Sequence, residues 1–240
     1  MAIKDIYYIK KIEYKLAMDM VVTNHYLHRK TSCSYSFGLF ETDTDKLIGT
    51  IVYGIPASRQ LQKGICGPDE ANNVIEITRI WIEDSTPRNV ESYLIGNTLK
   101  LVPKDIVVSY AETDVGHIGY IYQATNFIYT GLSDRHVLWI IPGMANAHSR
   151  HLFDSYGGIN KAHEALGDKM VATERPRKHR YIYFNCNKTR KKELIGKLRY
   201  RIQDYPKLNK YPTGRPINIF YQKQKKQQIA GAEKMKRKLK

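Results

Sequence analysis

Cysteine is scarce in this 240-residue chain. Cys33, Cys66 and Cys186 are far apart, odd in number and without CxxC spacing. That excludes a disulfide framework and a cysteine-rich zinc site, and it points to a reducing compartment. Long apolar runs are missing too, none approaching the roughly 20 residues of a membrane span. After Met1, the charged Lys4, Asp5, Lys10 and Lys11 break up any signal-peptide core, so no membrane insertion is expected. There is no internal repeat.

Positive charge is present in excess, and it is unevenly placed. From Val171 to Lys240 there are 22 Lys or Arg against 4 Asp or Glu, whereas residues 1–170 hold 17 basic and 19 acidic side chains. The whole net charge of +16 therefore sits on the C-terminal third. A near-neutral body with a strongly basic continuation is the electrostatic footprint of a polyanion binder. Tyr181, Tyr183, Phe184, Tyr200, Tyr205 and Tyr211 interleave with those cations, as stacking platforms for bases do. Arg175, Arg177, Lys178, Arg180, Lys191 and Lys192 are the expected nucleic-acid contacts. The chain divides into an α/β core over 1–170, a basic nucleic-acid-binding continuation over 171–221, and a disordered Lys-rich tail over 222–240.

Periodicity predicts a helix over Lys15 to His25, and paired strands over Tyr35 to Phe40 and Leu47 to Tyr53 about the acidic turn Glu41 to Asp45. Gly54 to Arg59 and Gly64 to Pro68 read as loop. Val74 to Ile82 alternates as a strand, and Thr86-Pro87 opens a helix with Thr86 as its N-cap. Strand Ile106 to Tyr110, helix Gly119 to Phe127 and buried strand Val137 to Ile141 follow. Asn146 to Lys169 reads as a His-rich loop with a short helix, then strand Arg180 to Phe184 and helix Lys191 to Tyr200. The fold class is α/β, a mixed central sheet flanked by helices with a basic C-terminal extension. Its strand–helix–strand–helix–strand centre resembles the acyl-CoA-dependent N-acetyltransferase (GNAT) fold. One departure stands out: Arg88-Asn-Val-Glu-Ser-Tyr93 lacks the glycines that let a backbone approach a pyrophosphate, and Glu91 would repel it.

The segment Ser109 to Gly131 concentrates chemistry at a strand end. Glu112 and Asp114 are candidate bases or metal ligands, or turn caps. His117 stands between glycines, as an imidazole over a cleft or a turn histidine. Tyr122 and Asn126, four apart on the expected helix, share a face with Gln123 nearby; a core tyrosine is the competing reading. Ser109 is a neutral donor without the His-Asp pattern of a nucleophile. His25, Tyr26, His28 and Arg29 form a polar knot, and His25 or His28 with Glu112 would suit ferrous iron. Arg79, on an apolar strand, needs an anion if it faces inward. Arg59 is a natural phosphate contact in its loop.

Taken in order, His25-Tyr-Leu-His-Arg29, Pro56-Ala-Ser-Arg59, Cys66-Gly67, Glu76-Ile-Thr-Arg-Ile-Trp81, Ser109-Tyr-Ala-Glu112, Gly116-His-Ile-Gly-Tyr-Ile-Tyr-Gln-Ala-Thr-Asn-Phe127 and Lys178-His-Arg-Tyr181 resemble the Mom family of bacteriophage DNA-modification proteins, from roughly Asn24 to Pro206. The resemblance implies a GNAT-like fold that converts adenine in duplex DNA to N6-carbamoylmethyladenine and shields phage DNA from host restriction. It further implies double-stranded DNA and an activated small-molecule group donor (acyl-CoA or another) as partners, an association with iron, and the cytoplasm of an infected bacterium as the place of action. A homodimer is compatible with it. His25, Tyr26, Arg79, Glu112 and Tyr122 fall on the family's functional positions, with Glu112 where the family usually has Asp, and Ser109 joins them as a neutral donor. Arg59, His117, Gln123 and Asn126 are assigned to substrate. A base inside a duplex cannot reach such a cleft, so adenine is expected to flip out and stack on Tyr26 or Tyr122. Glu112 or His25 would then take the N6 proton. An ordinary GNAT acetyltransferase acting on a small amine or protein, and a non-enzymatic DNA-binding phage protein, are the alternatives.

Overall fold

The computed structural model describes residues 2–113, 116–140 and 153–207. Asp114, Tyr211 and the Lys-rich tail lie outside them. A seven-stranded mixed sheet runs in the order β1-β2-β3-β4-β5-β9-β6. Its first four strands are β1 (Tyr7–Lys11), β2 (Tyr35–Glu41), β3 (Leu47–Gly54) and β4 (Val74–Ile82), and each pairs antiparallel with the next. β4 then pairs parallel with β5 (Ile106–Glu112). β9 (Lys178–Phe184) lies antiparallel between β5 and β6 (Ile128–Leu132). The mixed sheet flanked by helices expected from the sequence is thus present.

A parallel pair needs a crossover, and α4 (Val90–Leu99) supplies it, burying Val90, Leu94, Ile95, Thr98 and Leu99 on one face of the sheet. Thr98 and Tyr53 meet there through their hydroxyls at 2.7 Å. On the other face, α3 (Arg59–Cys66) and α7 (Lys188–Lys197) cover Val74, Ile106, Val108, Ile182 and Phe184 through Ile65 and Leu194. α2 (Tyr14–Asn24) packs Ala17, Met18 and Val21 against Phe40 and Val52. Two short helices, α1 (Ile3–Ile6) and α5 (Tyr120–Gln123), and α6 (Ile159–Leu166) complete the set. Among the described residues no helix is long and apolar enough to cross a membrane.

Several elements differ from the sequence reading. The stretch read as loop around Arg59 is α3, started by Ser58, whose hydroxyl accepts the Leu61 N–H. α4 begins at Val90 rather than Pro87, because Asn89 holds a left-handed conformation (φ 70°) just ahead of it. The helix expected over Gly119 to Phe127 shrinks to α5: Gly119 (φ 74°) and Asn126 (φ 61°) are left-handed, and the chain turns into β6, a strand the pattern did not announce. Val137 to Ile141 is not a buried central strand. Its described part, β7 (Val137–Ile140), pairs only with β8 (Val171–Glu174) in a separate ribbon, and Val137 is 62% exposed. α7 begins three residues earlier than expected, capped by the Asn187 side chain.

Candidate active site

The parallel ladder between β4 and β5 is short. Pairing runs Val74↔Ile106, Ile75↔Val107 and Glu76↔Val108 and stops, although β4 continues to Ile82 on β3 and β5 continues to Glu112 on β9. Where the two strands part, a cavity of about 530 Å³ opens, a size suited to a small ligand or a base. β4 forms one wall from Glu76 to Ile82, and Tyr110 to Glu112 form the other. The end of α2 contributes His25 and Tyr26, residues 116–122 close one side, and Lys178 reaches in from β9.

The local structure explains these positions. β5 runs on through Glu112, so Tyr110 and Glu112 share a strand face, opposite Arg180 and Lys178 of β9. Lys178 Nζ donates to Glu112 Oε1 at 2.5 Å, and the Tyr26 hydroxyl is also hydrogen-bonded to Glu112. His25 ends α2, is buried, and stacks on Tyr26 with centroids 4.3 Å apart. Its Nδ1 accepts from the Leu27 N–H at 3.1 Å, which leaves the proton of a neutral ring on Nε2. His117 meets Tyr26 edge-on at 6.2 Å. Arg79 donates through Nη1 to the Thr78 carbonyl at 2.6 Å, while its buried Nε has no partner among the described residues. Gly119 lies against Tyr181 so closely that a Cβ there would strike the ring. The Tyr181 hydroxyl, in turn, is bound to the Ile118 carbonyl.

Burial and charge then set protonation. Burial, with the Arg79 charge beside it, pulls the His25 imidazole down to about 3, so the ring is neutral. Burial also raises the phenol of Tyr26, with Glu112 adding to it, and it pushes Tyr122 up to about 12. For Glu112 burial acts upward, but the charge and hydrogen bond of Lys178, the Tyr26 hydrogen bond and Arg79 outweigh it, holding the carboxyl below its usual range. Glu76 behaves in the opposite way. Burial lifts it to about 7 against the pull of Lys178 and Arg79.

Of the residues singled out in the sequence, His25, Tyr26, Arg79, Glu112, His117 and Tyr122 meet at this cavity. Ser109 stands just behind it, fully buried, donating to the Ile77 carbonyl at 3.3 Å and hydrogen-bonded to Tyr122. Its hydroxyl bridges the strands where their ladder ends. Gln123 also lies behind the wall, donating to Ile118 O and Tyr181 Oη. Asn126 does not share a face with Tyr122, since α5 has ended before it; it lines a separate hollow with Asn89 and Ser92. Arg59 is off the cavity, bound to Gln62 and Asn72. Tyr122 is packed against Phe127 and Tyr181, which leaves a flipped base no good stacking face there. Tyr120, on the rim and 70% exposed, offers one.

The expected DNA contacts separate in the same way. Arg175 and Lys192 are exposed and Lys191 is half-buried, but Arg177 is spent on the Ser133 and Leu132 carbonyls and Lys178 turns into the cavity, placing one of its three N–H donors on Glu112. Arg180 is only 6% exposed, bonded to Thr130 and stacked 3.4 Å over the Tyr200 ring; it is a packing residue, not a surface cation. Sequence reasoning passed over Glu76, Tyr110 and Trp81 as site residues. The available signal was an acid at the third position of a nine-residue strand otherwise rich in Ile. An iron site does not fit what is described: no group of three His, Cys, Asp or Glu side chains comes together among the described residues, and Glu112 is already engaged. The acidic Asp84 and Glu91 on the wall next to α4 are poorly matched to the pyrophosphate of CoA.

The model of the Mom protein family matches residues 6–207. Methylcarbamoylase mom of Escherichia phage Mu is 27% identical over 210 residues, 83% of each chain. Among solved structures, an N-acetyltransferase from Staphylococcus aureus Mu50 is similar at 14% identity, with 75% of this chain and 99% of that one covered and a TM-score of 0.41. The ribosomal-protein-S5-alanine acetyltransferase of Vibrio fischeri is similar at 9% identity, with 75% and 94% covered and a TM-score of 0.44.

Proposed function

This chain belongs to the Mom protein family, and from that premise we propose that it is a transferase that modifies adenine in phage DNA. In the finer form of this reading, it places a carbamoylmethyl group on N6 and thereby protects the DNA from host restriction enzymes in the bacterial cytoplasm. The observation that carries the proposal is the cavity where β4 and β5 part, into which His25, Tyr26, Arg79, Glu112 and Lys178 converge. The phage Mu relative's name, methylcarbamoylase, supports the group transferred.

In a duplex the N6 amine is paired and stacked, so the base must leave the helix to enter the cavity. Tyr120 on the rim supports stacking of the extruded ring. The exposed Lys188 and Lys192 of α7, with Arg175, Arg199 and Arg201, supply phosphate contacts. Neutral His25 donates from Nε2. Arg79 Nε and the ammonium of Lys178 offer cationic donors for oxygens of the donor molecule. Glu112 holds Lys178 and Tyr26 in place, a bound carboxylate more than a free base.

The test is to express the protein in bacteria, digest the DNA and weigh the nucleosides. A deoxyadenosine heavier by one carbamoylmethyl group is expected. An unmodified adenine pool alongside tight, salt-sensitive duplex binding would leave a non-enzymatic DNA-binding protein.

A further inference from the structure

Resting on that reading, we propose that Glu76, the residue on which the β4–β5 ladder ends, is the proton acceptor of the transfer. Three observations put it there. Glu76 is the last β4 residue paired with β5, so its carboxylate projects where the strands divide and lines the cavity. No hydrogen bond to its side chain occurs among the described residues, in contrast to Glu112, which is held by Lys178 and Tyr26. His25, the other candidate, has its Nδ1 lone pair occupied by the Leu27 N–H and its proton on Nε2, so it has no free lone pair to offer.

The step balances without any further reagent than the one the reading already names, a carbamoylmethyl donor with a leaving group on its methylene carbon. The N6 nitrogen forms the bond to that carbon, the bond from carbon to the leaving group breaks and its pair departs with the leaving group. The surplus N6 proton passes to the Glu76 carboxylate. An acceptor poised near neutrality is efficient at this, and burial places Glu76 there at about 7. The charged and titratable groups around it are Lys178 from β9, Arg79 from β4, Tyr110 from β5 and Tyr122 from α5. The two tyrosines are raised above their usual range and stay neutral through the relevant pH window.

The experiment uses the full chain with Glu76→Gln and Glu76→Asp, measuring modified adenine per folded protein, duplex affinity and the pH dependence of modification. Glu76→Gln is expected to lose about 100-fold or more of the modification with duplex affinity retained. In the native chain the rate should rise with pH through about 7, and Glu76→Asp should keep part of the activity with that inflection moved. Should Glu76→Gln fail to fold, the Glu76→Asp profile decides alone. Modification by Glu76→Gln within a few-fold of the native rate, or an inflection that Glu76→Asp leaves in place, overturns the assignment while leaving the adenine-modification reading intact. A native chain that modifies no adenine overturns both.

Discussion

Glu70 and Glu76 stand six residues apart and have opposite fates. Glu70 is nearly fully buried and accepts from Arg190 at 2.5 Å, Lys197 at 2.9 Å and Asn73 at 2.9 Å, while Arg190 also binds Asp105 and Glu193. The hydrogen bond from Arg190 leads in dropping Glu70 to about 2. This cluster clasps α7 to the region before β4, with three donors on the buried Glu70 carboxylate. Glu76 has no hydrogen-bond partner among the described residues, only the charges of Lys178 and Arg79 acting against its burial, and is raised to about 7. On the same strand, Arg79 keeps a buried Nε without a partner among the described residues. The difference separates two uses of buried charge. Where every donor and acceptor is matched, the group holds the fold; where matching is left incomplete, the group is free to act on a ligand.

Removing the incompletely matched cation should have the largest effect. Arg79→Met is expected to lower adenine modification by roughly 100- to 1,000-fold with a melting temperature equal to or above that of the native chain, because one buried charge disappears and only the bond to Thr78 O goes with it. A melting temperature lowered by many degrees would assign Arg79 to the structural class. Next in size is the clasp: Glu70→Gln should cost about 3 kcal/mol of stability and leave the rate per folded molecule unchanged, as read by denaturant unfolding alongside the modification assay.

The pH dependence of stability sharpens the contrast. Glu70, lowered from 4.5, contributes stability that is full above pH 4.5 and is lost as pH falls through about 2. Glu76, raised from the same 4.5, favours the folded state below that pH, and the benefit is lost as pH rises through about 7. Glu76→Gln should therefore melt higher than the native chain at pH 8 and equally at pH 4; a loss at both would break the comparison. The smallest expected effect is on the surface. Lys192→Ala should weaken duplex binding a few-fold and reduce the salt slope by about 1. Arg180→Met should cost about 2 kcal/mol of stability and leave the salt slope alone.

The alternation of β4 and the apolar β5 made the centre of the sheet legible, because buried strands announce themselves by period and composition. The cavity residues were legible for a related reason: Glu112, His25 and Arg79 are charged or polar groups beside elements that ought to be apolar. What escaped was decided by single backbone angles. Left-handed turns at Asn89, Gly119 and Asn126 moved or cut helices whose side-chain pattern would have allowed more. Glu76 escaped because strand alternation, taken alone, puts it with Val74 and Thr78 on a face open to solvent. α3, α7 and the departure of β5 from β4 make that face an interior. Arg180 was misassigned for the converse reason, since a cation in a basic stretch gives no sign that Tyr200 will cover it.

The short β4–β5 ladder has one more consequence. Beyond Glu76 the two strands no longer pair with each other, and side chains answer their carbonyls instead: the Ser109 hydroxyl donates to Ile77 O and Arg79 to Thr78 O. Substitution at Ser109 or Arg79 would leave a main-chain carbonyl unanswered. A side chain that only lines the opening can change without disturbing either strand. Redesign of this site for another transferred group would therefore have more freedom at those lining side chains than at the two that answer the strands' own carbonyls.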